Sequence, residues 1–406
     1  MPARSSSRTF RAAAFLLLAV LWAAAALLLW RSRVPGDLAL PRLEERALFD
    51  PELVRRAEAY ERVVDWVSLG AILAQIAALA VMAVRAPRLA RGVGLGPVGT
   101  GVIVGLVTML AAWAAGIPFT AVLTWWERRH GLSDESYLAA VLGPYAELFG
   151  LTMTALLIVV VVMTLARKLG RYWWLVGAPA FVAIAAAFAF FVPYLLGIGT
   201  HRLSDPGLSA RIARLEQATG AGPTPVYVET ASDHTTLPNA YTAGIGPSER
   251  VVLWDTILDE RFTGREVGVV AAHELGHVAR GHVWKGLAWF ALTAFPGLFL
   301  ISETARRRGG LGLPENIPLA ALAFAVLSLC FAPVSNAISR HFEREADWIA
   351  LDATHDPAAA SSLFTKLARV SLADPTPPSW AQALFGTHPA DLERIAMTEA
   401  WARRSR

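Results

Sequence analysis

The sequence is poor in cysteine and in charge. A single cysteine, Cys330, among 406 residues excludes an intramolecular disulfide and a thiolate-built metal cluster, and says nothing of the compartment. Charged residues make up 17% of the chain, against about 25% for an average soluble domain. Internal repeats and low-complexity tails are not evident. The net charge of +4 comes mostly from arginine clusters that punctuate apolar runs. That pattern reads as topology signalling and not as a phosphate-binding face, so no nucleic-acid partner is expected.

Apolar residues are what the chain has in excess. They make up 55% of it, gathered into runs that a soluble core could not absorb. A bilayer span needs about 20 mainly apolar residues, and seven runs qualify. They are Ala12 to Trp30, Trp66 to Val84, one within Gly101 to Trp126, Leu148 to Ala166, one within Tyr172 to Thr200, Gly286 to Ser302 and Ile317 to Ser339. The first is longer than the apolar core of a usual cleaved leader, about 7–15 residues, and is expected to be retained. Apart from Glu147 at one edge, the runs are uncharged.

The polar segment His201 to Trp284 and the chain after the seventh run must form an extramembrane domain. Asp205 to Gly220 has helical periodicity, Val226 to Glu229 alternates like a strand, and Val251 to Trp254 reads as a short buried strand. The expected fold is therefore mainly α: a polytopic membrane protein of about seven transmembrane helices with an α+β domain. Residues 1–200 would form a five-span N-terminal transmembrane domain. Residues 201–406 would form the second domain, interrupted by spans at about 286–302 and 317–339. The chain is expected to sit in the lipid bilayer, and its Ala/Arg-rich composition looks like that of a bacterial cell membrane protein.

Residues 271–282 read AAHELGHVARGH, with His273, Glu274 and His277 in HExxH spacing. On a helix, two His four residues apart share one face and can aim both imidazoles at one ion, with Glu274 beside the open coordination position. Thr263 and Glu266 stand as a capping box just before this run. Arg261, Arg265, Glu266 and Arg280 surround the motif, which sets it outside a span. A catalytic zinc needs a third protein ligand. SRHFEREADWIALD offers Glu343, with Asp347 four residues later on the same helical face to orient a ligating His. Glu345 points to another side of that helix and reads as a surface or salt-bridging residue. His282 reads as a packing or interfacial residue. Two spans separate the His pair from Glu343, so both return to one membrane face.

This set predicts a gluzincin-like zinc peptidase. Zinc would lower the pKa of a bound water and polarise the scissile carbonyl, while Glu274 takes the water's proton and passes it to the leaving amine. His388, in the turn Thr387-His388-Pro389, is a candidate donor to the oxyanion. A reading of another class, a transporter or sensor with structural or cargo zinc, would need charges within the spans or a separate recognition domain.

The chain resembles the membrane zinc metallopeptidases of the type I CAAX prenyl protease group. The resemblance rests on the seven-span layout, AAHELGHVARGH, SRHFEREAD, GTHPADLERI and LPNAYTAGIGPSERVVLWDTIL. It implies His273, His277 and Glu343 as zinc ligands and Glu274 as catalytic base. Asp347 becomes an acidic residue of either proton-donor or orienting role. Asn239 and the strand after it would line the peptide cleft, where an extended substrate could add as a strand. Asn239 as a plain turn residue remains open. His388 and Arg394 would help hold the oxyanion or its surroundings. The implied substrate is a lipidated or membrane-associated protein. The HtpX-type membrane proteases, shorter and with fewer spans, are the nearer enzyme alternative. The resemblance implies a cytoplasm-facing site, whereas the basic loops after the even-numbered runs favour the opposite by the positive-inside rule. The first loop weakens that count with seven arginines of its own.

Overall fold

The computed structural model describes residues 3–146, 149–195 and 199–405, so Glu147 and Leu148 lie outside the described residues. The membrane part contains α1 (Ala3–Leu29), the short α2 (Glu45–Leu48), α3 (Pro51–Arg91), α4 (Gly96–Arg129), α5 (Tyr137–Ala146), α6 (Phe149–Leu169) and α7 (Trp173–Leu195). Then come β1 (Thr200–Arg202), α8 (Pro206–Thr219), β2 (Val226–Glu229), β3 (Ala240–Ala243), β4 (Arg250–Trp254) and α9 (Gly264–Ala279). Two long helices, α10 (His282–Arg306) and α11 (Ile317–Thr354), cross back through the apolar layer. Next are α12 (Pro357–Ser371), α13 (Ser379–Leu384) and α14 (Asp391–Arg404).

Five described segments are long and apolar enough to cross a membrane: Pro51–Arg91, Gly96–Arg129, Met153–Tyr194, His282–Arg306 and Pro314–Thr354. Met153–Tyr194 holds two of the expected runs. The helix breaks at Gly170, whose φ of +56° is left-handed. At the end of α6, Arg167 reaches the Gly312 carbonyl in the α10–α11 turn (3.5 Å), while Pro193 near the end of α7 accepts from Arg250 on the sheet (3.1 Å). α6 and α7 therefore run in opposite directions. α1 covers the first run from Ala12 to Leu29, and its stretch Leu16–Leu29 is apolar. Small residues let the crossings approach closely: a Cβ on Gly105 of α4 would lie 3.2 Å from Val159 of α6. Large apolar side chains such as Val84 and Phe324 stay exposed on the outside, as a lipid-facing surface requires.

The extramembrane domain is built as its local signals indicate. Asp205 caps α8 through Leu208 N, and Gly220 ends it with φ 78°. The sheet order is β1-β2-β4-β3, with β2 and β4 parallel (Val228 opposite Leu253) and β1 and β3 antiparallel at the edges. One core joins the sheet, α8, α9, the end of α11, α12 and α14, through residues such as Leu253, Leu275, Leu363 and Ile395. Phe49 and Val54 belong to that core as well. The first loop and the start of α3 thus pack with the second domain, and the chain boundary at 200 is not a packing boundary.

Candidate metal centre

The centre rests on two helices, α9 and α11. Thr263 and Glu266 form the capping box: Thr263 N donates to Glu266 Oε2 (2.7 Å), and the Thr263 side chain accepts from Glu266 N (3.3 Å). Glu266 is buried and also accepts from Lys366 (2.8 Å) and Ser362 (2.6 Å) on α12, which fixes the start of α9. Gly276, inside the HExxH motif, lies against the backbone of Ala346 on α11; a Cβ there would meet Ala346 Cα at 3.3 Å. That approach brings the ligand sets of the two helices together.

His273, His277 and Glu343 converge, with one ligand atom of each within 4.8 Å of the others. His273 Nε2 is 3.1 Å from His277 Nε2 and 3.2 Å from Glu343 Oε2, and His277 Nε2 is 3.5 Å from Glu343 Oε1. Donors bound to zinc at about 2.0–2.1 Å in a tetrahedron stand about 3.3 Å apart, so the triangle has the dimensions of a zinc site. Glu343 Oε2 is buried and makes no hydrogen bond although imidazole nitrogens lie 3.2 Å away. A cation shared among these donors accounts for both facts. Burial opposes charge on His273, but the Asp347 and Glu343 carboxylates outweigh it and push its pKa up to about 10.

Each imidazole has its own support behind it. His273 Nδ1 donates to Asp347 Oδ1 (2.8 Å), and Arg394 grips both Asp347 oxygens at 2.6 and 2.8 Å while stacking over Phe364. Arg394, a candidate for holding the oxyanion or its surroundings and for binding substrate, is part-buried with its guanidinium on Asp347, behind His273. His277 Nδ1 lies 2.9 Å from His282 Nδ1, and His282 Nε2 is 3.0 Å from Glu345 Oε2. Glu345 is fully buried and takes Arg280 (2.7 Å), Lys285 (3.1 Å) and the backbone N–H of Arg33 (2.7 Å). The salt-bridging expectation for Glu345 fits and the surface one does not, because its side of α11 faces α10 and the first loop. His282 does more than pack. Gly281, with φ 57°, turns the chain from α9 straight into α10 and returns His282 to the back of His277. A glycine between the two histidines was the one signal for this in the sequence.

Glu274 is buried, and its Oε2 lies 3.0 Å from the Thr242 hydroxyl on β3. Thr242 had no role in the sequence reading. His388 Nε2 stands 3.2 Å from Glu343 Oε2 with its side chain 60% exposed, so it borders the site from the solvent side. Asn239 is exposed at the start of β3; its carbonyl accepts from Trp254 N (3.0 Å) and its side-chain oxygen from Ala240 N (2.9 Å). Those bonds shape the strand's entry and do not touch the ligand triangle.

With this geometry in view, residues 202–402 match the model of Peptidase family M48. The matched segment contains the whole triangle and both of its supports apart from the Arg33 amide. The chain is 31% identical over 256 residues to the "Uncharacterized metalloprotease YhfN" of Bacillus subtilis, covering 60% of each. It is 30% identical over 191 residues to the "Protease HtpX homolog" of Burkholderia thailandensis, covering 42% of this chain and 66% of that one. The chain thus spans less than two thirds of the length of these relatives. In fold, it is similar to the crystal structure of S. mikatae Ste24p, with a TM-score of 0.73 over 93% of this chain and 96% of that chain, at 18% identity. The resemblance read from the sequence motifs holds for the matched segment and for the fold, and the chain is a multi-pass membrane protein.

Proposed function

We propose that this M48 protein is a zinc-dependent integral-membrane endopeptidase that hydrolyses peptide bonds in lipidated or membrane-associated proteins. The carrying observation is the triangle of His273, His277 and Glu343, spaced at 3.1, 3.2 and 3.5 Å with Glu274 alongside in the HExxH motif. Zinc held there would supply a water of lowered pKa and a Lewis acid for the scissile carbonyl. Glu274 takes the proton of the attacking water and returns it to the leaving amine. Thr242 holds that carboxylate against β3, which pairs only with β4 among the described strands. The other edge of β3 is where an extended peptide adds as a strand, with Asn239 at its entry. Asp347 orients His273; with both oxygens committed to Arg394 and His273, it is not the proton donor. His388, at the solvent side of Glu343, donates to the oxyanion. The sequence resemblance supports a site that faces the cytoplasm.

The likeness to an HtpX homolog favours a second reading, in which exposed segments of membrane proteins are the substrates. Glu274→Gln tests the shared chemistry: the variant should keep about one zinc per chain and lose cleavage of an unstructured or lipidated peptide. Undiminished cleavage would refute the mechanism. Comparing membrane proteomes with the active and Glu274→Gln forms separates the two substrate classes.

A further inference from the structure

The face away from the metal centre carries charge that peptide hydrolysis does not use. The turns after α3, α6 and α10 meet there: Arg167 at the end of α6 reaches Gly312 (3.5 Å), and Arg308 reaches the Ala83 carbonyl on α3 (3.4 Å). Between them, residues 85–97, 167–172 and 303–316 hold nine basic side chains against two acidic ones, Glu303 and Glu315. A cavity of about 440 Å³ opens among them, lined by Arg167, Arg171 and Arg306 together with Trp173, Ser302 and the 309–313 turn. Its floor is built: Trp173 is buried, its indole N–H donates to Ser302 Oγ (3.0 Å), and Ala166, Ile301 and Leu311 pack beneath it. Arg306 pairs with Glu303 (2.7 Å), whereas Arg167 and Arg171 form no ion pair with a carboxylate among the described residues; their hydrogen bonds go to Gly312 and Tyr172. The rim continues into exposed apolar side chains, Leu169, Tyr172, Leu175 and Leu313.

We propose that this cavity binds the headgroup of an anionic phospholipid, with the phosphodiester on Arg167 and Arg171 and the acyl chains along the apolar rim. A guanidinium matches phosphate with two parallel hydrogen bonds. The cavity lies where α6 leaves and α7 re-enters the apolar layer, the depth of a lipid phosphate, with Tyr172 and Trp174 at the same level. A free phosphate would meet the same arginines but leave the apolar rim bare, so the occupant is a lipid. The proposal stands independently of the peptidase reading.

The test uses the full-length protein in neutral detergent, offered phosphatidylglycerol and phosphatidylcholine at equal concentration and read by native mass spectrometry. Phosphatidylglycerol should be retained in preference. At about five-fold per arginine near a membrane surface, Arg167→Gln/Arg171→Gln should cut that preference roughly 25-fold, and Arg85→Gln/Arg88→Gln, on the same face outside the cavity, should leave it unchanged. Helical content and a thermal midpoint read in parallel show that each variant is folded; should the double variant fail to fold, Arg171→Gln alone carries the test with a loss of about five-fold. Equal losses in both double variants would reduce the effect to general surface charge and overturn the site. Displacement by glycerol phosphate at the lipid's own concentration would overturn the lipid assignment, and equal retention of the two lipids would overturn the proposal altogether.

Discussion

Behind the two ligand imidazoles stand different partners, and this difference can be measured. His273 is backed by an Asp347–Arg394 pair within α11 and α14, His277 by His282 and then by Glu345 with three donors of its own. Groups that orient a metal-bound His typically contribute 10–100-fold in affinity. His282→Ala should therefore weaken zinc binding by about that factor in competition with a chelator, with helical content unchanged. Asp347→Asn should do the same through His273. Unaltered zinc affinity in His282→Ala would show that the contact to His277 is incidental. Helical periodicity correctly turned Glu345 away from Glu343, but it could not say that this second side is buried. The cations on it are Arg280, just past α9, and Lys285 on α10, and the Arg33 amide lies 312 residues earlier in the chain. His273, His277 and Glu343 were legible because their spacing is local and two spans return the chain. Arg394 was not, because nothing in GTHPADLERI tells whether its guanidinium faces a substrate or a buried carboxylate.

At the scale of elements, the centre depends on how closely α9 and α11 approach. Gly276→Ala gains about 1 kcal/mol of helix propensity, while its Cβ would sit 3.3 Å from Ala346 Cα and push the two backbones apart by a few tenths of an ångström. Overall stability should move little, yet zinc affinity should fall because the ligands of α9 and α11 separate; Gly276→Val should lose the metal. A thermal midpoint and a chelator titration on the same samples distinguish the two effects. The start of α9 gives a pH prediction. Burial opposes ionisation of Glu266, but hydrogen bonds from Lys366, Ser362 and Thr263 outweigh it and hold its pKa below the ordinary carboxylate range. A depressed folded-state pKa stabilises the fold above the unfolded value, and that contribution is lost as pH falls through the folded one. The thermal midpoint should therefore drop from about pH 5 downward, and Glu266→Gln should remove part of that slope and lower the plateau near neutrality. The capping box itself was readable because it spans four residues; the Lys366 and Ser362 contacts that bury it come from α12.

For the whole molecule, the crossings separate a metal face from a basic face, and charge alone divides them weakly. The turns after α3, α6 and α10 carry nine basic residues, and the tail before the first apolar run adds Arg4, Arg8 and Arg11. On the metal face, the first loop and the start of α3 carry seven arginines, and Arg128 and Arg129 end α4. Acidic residues count little in the positive-inside rule, and Arg280, Lys285, Arg340 and Arg344 beside the sixth and seventh runs add to the metal face, so the comparison is twelve basic residues against at least thirteen, no bias that overrides the resemblance. The metal face is therefore expected in the cytoplasm. On a Cys330→Ser background, Glu260→Cys on the metal face should be protected from a membrane-impermeant maleimide on intact cells, and Arg307→Cys in the α10–α11 turn should be labelled. The reverse pattern would show that the arginines of the short turns set the topology, and would place peptide cleavage outside the cell.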